Sequence, residues 1–90
     1  MLIKSNQIEE NLLGYIQKEF LPNNSKFSPG YEDNLFDQGI VDSAGLISLI
    51  AFIETEFKIT IPDEDLLPEN FKSISATAEY LRSKTKRSKI

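Results

Sequence analysis

The pair Asp42-Ser43 opens an apolar helical stretch and sets one hydroxyl beside one carboxylate at a helix start. A serine becomes a catalytic nucleophile when a neighbouring base, most often histidine, takes its proton. This chain has no His and no Cys, so Ser43 lacks the usual base and no protein thiol stands in its place. Attachment is the chemistry that remains. A helix N-terminus carries unpaired backbone N–H groups and partial positive charge, and so tolerates a phosphodiester on its first residue. Asp42 repels such a group, keeps it pointing outward, and offers a handle to the enzyme that attaches it. The plainer alternative is that Ser43 only caps the helix, as serine often does.

No other constellation competes. Asp63-Glu64-Asp65 lacks the glycine and ligand spacing of a calcium loop, no Gly-rich phosphate loop is present, and no metal site is expected. With neither His, Cys nor metal ligands, few groups can do chemistry at neutral pH, and the chain does not read as an enzyme. Between Glu32 and Glu69 ten acids face the single base Lys58, although the whole chain carries only −4. Such an acidic middle repels nucleic acid and favours partners with basic surfaces. Residues 82–90 invert the balance, with five bases and no acid. The 90 residues, 40% apolar and 27% charged, suit one globular domain. No apolar run is long enough for a membrane span, no secretory signal is evident, and a cytoplasmic monomer is expected.

The elements that must position Ser43 follow from periodicity. Ile3, Ile8, Leu12, Ile16 and Phe20 fall at helical spacing, with Ser5 or Asn6 as a cap, and predict a first helix ending near Phe20. About twenty residues without a sustained period follow, in which Phe27, Tyr31, Leu35, Phe36, Ile40 and Val41 argue for a long loop packed on the core. From Ser43, positions Leu46, Leu49, Ile50, Ile53 and Phe57 trace one helix face. Ile47, Ala51 and Phe52 lie off that stripe and suit a small apolar partner patch flanking Ser43, while packing against the long loop suits Phe52 equally well. Glu54 and Glu56 read either as solvated acids or as partners for Arg and Lys. Lys58 to Ile61 is expected to be an extended connector. Asp63 caps a short helix through Leu67 that Pro68 ends, and Ser73 caps a last helix along Ile74, Ala78 and Leu81. The expectation is an all-α four-helix bundle, three longer helices and one short, with the long loop between the first two. Residues 1–81 form the single domain and 82–90 a basic, disordered tail.

In this setting the chain resembles the acyl carrier and peptidyl carrier family, in which a serine in a Gly-x-x-Asp-Ser run bears 4'-phosphopantetheine. Gly39, Asp42 and Ser43 match that run, and the resemblance extends from Leu35 to Leu81 through Leu35-Phe36, Glu54-Thr55-Glu56-Phe57, the Ile59 to Asp65 segment and the Ile74 to Leu81 helix. It implies a four-helix fold whose second helix docks on partners, and modification of Ser43 by a phosphopantetheinyl transferase using coenzyme A. It further implies an acyl or aminoacyl thioester at the arm's end, delivered to ligases, condensing enzymes or transferases with basic docking surfaces. Leu46, Leu49, Ile50, Ile53, Phe57, Ile74, Ala78 and Leu81 would then form the core or line an acyl pocket.

Departures from the fatty-acid-synthesis type indicate a stand-alone, specialised member. Ala44 and Gly45 follow the serine where Leu and an acid are common there, and Ser48 replaces another acid. Losing these acids weakens contact with basic enzyme surfaces. Gly45 also weakens the helix start by about 1 kcal/mol relative to Ala. The Leu66 to Phe71 link is longer. A dedicated pathway to a secondary metabolite, a modified lipid or an aminoacyl transfer is expected. The rival from another class is a helical interaction module with no cofactor.

Overall fold

A computed structural model describes residues 7–21 and 28–88, with side chains to residue 84. The proposed caps Ser5 and Asn6, and Ile3 and Phe27, lie outside the described residues. Helices α1 (Gln7–Phe20), α2 (Ser43–Phe57), α3 (Pro68–Phe71) and α4 (Ile74–Ser88) form an all-α bundle, with a 3-10 turn at Asp63–Asp65 and no strand among the described residues. The fold class is the one expected. α4 packs on both α1 and α3.

The core follows from the stripes. Leu12 and Ile16 of α1, Leu49 and Ile53 of α2, and Ile74, Ala78 and Leu81 of α4 are buried together with Phe71 and Ile61. Each such side chain larger than that of alanine contributes roughly 1.5–3 kcal/mol by leaving water. Leu46, Ile50 and Phe57 pack against this cluster half-buried. Ser73 accepts the Ala76 N–H on its hydroxyl at 3.0 Å and so caps α4, as its position predicted.

The long loop packs down. Leu35 and Val41 are buried, and Tyr31, Phe36 and Ile40 are half-buried against the core. Its backbone is tied to the far end of the chain: the Leu35 N–H donates to the Lys72 carbonyl at 2.7 Å and the Ser75 N–H to the Tyr31 carbonyl at 2.8 Å. These bonds satisfy loop polar groups that burial would otherwise leave unpaired.

Three expectations are corrected. Asp63 lies inside a 3-10 turn ending at Asp65, not at the cap of a helix through Leu67. Pro68 starts α3 and does not end the preceding turn, because its missing N–H falls where a first-turn donor has no partner. The final helix does not stop at Leu81: α4 continues to Ser88. Its extension is held by ion pairs from Arg82 to Glu9 at 2.7 Å and from Lys84 to Asp65 at 3.2 Å.

Candidate functional site

Gly39 turns the loop toward the site. Its φ of +73° lies in the left-handed region that favours glycine, and its N–H donates to the Phe36 carbonyl at 3.0 Å. Asn34 shapes the same turn, its side-chain oxygen accepting the Phe36 and Asp37 N–H groups at 3.0 and 2.9 Å. Ile40 and Val41 then donate back to the Leu35 carbonyl at 3.0 and 3.2 Å, which brings the chain in order to Asp42.

Asp42, and not Ser43, is the N-cap of α2. Its carboxylate Oδ1 accepts the Gly45 N–H at 2.8 Å, and its carbonyl accepts the Leu46 N–H at 2.8 Å. The plainer reading of Ser43 as a cap therefore gives way. Ser43 is the first helical residue and is exposed. The N–H groups of Ser43 and Ala44 have no acceptor within the helix. Sequence reasoning gave Asp42 only a role toward an attached group; the cap comes first.

Gly45 is buried under the end of α1. A Cβ built there would lie 2.8 Å from Phe20 Cε1 and 3.2 Å from Asp42 Oδ1. The residue that looked like a lost acid and a weak helix former is a point of close contact between α1 and α2. A tertiary neighbour of this kind leaves no local signal.

Beside Ser43 opens a cleft of about 570 Å³. Phe36, Leu46 and Pro68 supply its apolar wall, and Asn34, Asp37, Glu69 and Lys72 its polar one. Of the residues expected to form an acyl pocket or core, Leu46 lines this cleft, while Leu49, Ile53, Ile74, Ala78 and Leu81 are buried in the core. Among the described residues no cluster of His, Cys, Asp or Glu is placed to hold a metal.

The expected recognition residues separate into two groups. Ile47, 73% exposed, shares an outward face of α2 with Ala44 and Ala51, and Glu56 is exposed further along. Glu54 is instead half-buried and accepts the Ile61 N–H on Oε2 at 2.8 Å, tying the connector to α2. The α2 helix ends there at Lys58, in the left-handed region at φ 56°, with its N–H on the Glu54 carbonyl. Phe52 packs on α1, its ring stacked on Tyr15 at 4.0 Å between centroids. Tyr15 in turn donates its hydroxyl to the Ser48 carbonyl at 3.2 Å.

Comparison with known proteins places this geometry. Residues 25–81 match the family described as "Phosphopantetheine attachment site". A D-alanyl carrier protein of Streptococcus suis is 30% identical over 84% of this chain and 98% of its own length. A probable acyl carrier protein PigG of Serratia is 30% identical over 77% of this chain and 78% of its own. Aminoacyl carrier protein 2 of Bradyrhizobium diazoefficiens is 38% identical over 50% of this chain and 49% of its own. An exposed serine at a helix start, with an adjacent cleft, fits a phosphate-linked prosthetic group. This chain belongs to the phosphopantetheine-attachment family of carrier proteins, and its prosthetic group is 4'-phosphopantetheine.

Proposed function

We propose that Ser43 bears the phosphopantetheine arm and that the chain carries an aminoacyl or short acyl group for a dedicated pathway apart from housekeeping fatty acid synthesis. The observation that carries this reading is the exposed position of Ser43 at the first turn of α2, with Asp42 acting as the cap in its place. The arm supplies the thiol that this cysteine-free chain lacks. Residues of the chain do the rest: Asp42 and Gly45 fix the direction of the helix start, its first-turn N–H groups would stabilise the arm's phosphate, and acidic side chains are available to basic partners.

A short or aminoacyl cargo is supported by two features. Five of the eight residues lining the cleft, Asn34, Asp37, Ser43, Glu69 and Lys72, are polar or charged, which suits a small polar group better than a long aliphatic chain. Relatives named for D-alanyl and aminoacyl cargo point the same way. The partners are a phosphopantetheinyl transferase acting once on Ser43, and a cytoplasmic ligase that activates the carboxylic acid before thioester formation. The chain itself performs no catalysis in this scheme.

Intact mass measured before and after incubation with coenzyme A and a broad-specificity phosphopantetheinyl transferase tests the reading. The parent chain should gain one phosphopantetheinyl group and Ser43→Ala none. A folded parent that gains nothing, or a gain that survives Ser43→Ala, overturns the assignment of Ser43. Loading of the modified chain with D-alanine by an ATP-dependent ligase for D-alanyl carriers then tests the cargo.

A further inference from the structure

We infer that the Asp63 to Glu69 segment is a docking element for the phosphopantetheinyl transferase, with Leu66 and Leu67 entering an apolar pocket flanked by basic side chains on that enzyme. The inference rests on the assignment of Ser43 as the attachment residue. Leu66 and Leu67 are 37% and 43% exposed, adjacent leucines in a chain that buries most of its large apolar side chains.

Their exposure is built, not loose. The Leu66 N–H donates to the Asp63 carbonyl at 3.0 Å and the Leu67 N–H to the Asp65 carbonyl at 2.8 Å. Asp65 is anchored from α4, accepting the Tyr80 hydroxyl at 2.6 Å and pairing with Lys84 at 3.2 Å. The Asn70 side-chain amide closes the turn from the other side, on the Asp65 carbonyl at 2.9 Å. A turn pinned at both ends holds the two leucines in fixed positions, so less ordering is needed when a partner covers them.

Charge and position identify that partner. Asp63, Glu64 and Glu69 are exposed around the leucines, and no base occurs between Ile59 and Phe71. Apolar side chains ringed by carboxylates complement an apolar pocket ringed by Lys and Arg. Pro68 and Glu69 also line the cleft that contains Ser43. An enzyme that brings a phosphate to the Ser43 hydroxyl must cover the lip of that cleft. An enzyme acting on the far thiol of the arm is under no such constraint, which is why the transferase is the occupant named. In its step the Ser43 oxygen forms a bond to the β-phosphorus of coenzyme A, 3',5'-ADP leaves, and the serine proton passes to the enzyme's base.

Steady-state modification of the apo chain by a broad-specificity phosphopantetheinyl transferase with coenzyme A tests the inference, with Leu66→Ser/Leu67→Ser and Asp63→Asn/Glu64→Gln/Glu69→Gln compared against the parent. The leucine variant should raise KM for the carrier roughly tenfold with kcat little changed, the size of a displaced interface anchor. The charge variant, whose core is untouched, should raise KM and flatten its dependence on salt. Equal KM values in variants whose melting curves match the parent overturn the inference and leave Ser43 as the attachment residue. A parent that is never modified removes both. Association of the parent that the leucine change abolishes without moving KM would assign the patch to a second copy of the chain instead.

Discussion

Phe20 sits so close to Gly45 that a Cβ on residue 45 would lie 2.8 Å from the ring carbon Cε1. The last residue of α1 thus rests on the third residue of α2, two residues from the serine that α2 presents. The same glycine donates its N–H to the Asp42 cap. Helix packing and helix capping meet at one position, and the direction of the Ser43 side chain depends on both.

Gly45→Ala separates these effects. Helix propensity alone makes the change favourable by about 1 kcal/mol. The added methyl must displace the Phe20 ring, itself held edge-on to Tyr15 at 5.8 Å, and crowds Asp42 Oδ1 at 3.2 Å. Overpacking of this kind costs roughly 1–3 kcal/mol, so a net loss of about 1 kcal/mol is expected in urea denaturation. In a Phe20→Ala background the sign should reverse, with the propensity gain now visible. A methyl equally tolerated in both backgrounds would show that the contact carries no weight.

The cap Asp42 and the proposed attachment point Ser43 are adjacent residues, and substitution should split their roles. Ser43→Ala is expected to change stability by no more than about 0.5 kcal/mol while abolishing the mass gain, since the residue is exposed. Asp42→Ala should cost about 1 kcal/mol through loss of the cap. Asp42→Asn keeps an oxygen for the Gly45 N–H but removes the charge. If the carboxylate is a handle for the modifying enzyme, the asparagine variant should melt near the parent and yet be modified more slowly.

Periodic features were legible in the sequence. Leu12 and Ile16, Leu49 and Ile53, and Ile74, Ala78 and Leu81 are buried where spacing put them, and Ser73 caps α4 as its position suggested. What escaped was nonlocal or ambiguous. Arg82 reads as part of a basic tail until Glu9, 73 residues earlier, is seen to accept its guanidinium. Pro68 can end one helix or begin the next, and only the fold decides. At the site, the Gly39, Asp42 and Ser43 run was visible, whereas the division of labour between Asp42 and Ser43 required the hydrogen bond to Gly45. The pocket wall from Phe36, Leu46, Pro68 and Lys72 joins three separate stretches of chain, and nothing local in any of them announces it.

Glu54 illustrates how an acid expected to meet a partner can serve the inside. Its carboxylate holds the Ile61 N–H at 2.8 Å, and Ile61 is buried. Glu54→Ala leaves that N–H without its partner and should cost roughly 1–3 kcal/mol. Glu54→Gln retains an acceptor and should recover most of the loss. Because the role is internal, the glutamine variant should be modified on Ser43 with the KM of the parent. Glu56→Gln, on the exposed side, is the comparison that reports on partner charge.

The pair between Glu9 and Arg82 predicts an acid limb in the stability curve. Arg82 donates to both carboxylate oxygens, at 2.7 and 3.0 Å, and joins the start of α1 to the extension of α4. This hydrogen bonding, foremost among the causes and opposed by burial, holds the Glu9 carboxyl below its usual value. A lowered native pKa means that the folded state binds the proton less readily than the unfolded chain does. The stabilisation is therefore complete above the unfolded value of about 4.3, and is lost as pH falls through the lowered native one. Glu9→Gln should cost roughly 1 kcal/mol at pH 7, a modest figure because the Arg82 side chain is 38% exposed and screened by solvent. Urea midpoints of parent and variant should then converge as pH drops from about 5 toward 3. Curves that stay parallel across that window would show that the pair does not hold α4 to α1, and the helix beyond Leu81 would need another anchor.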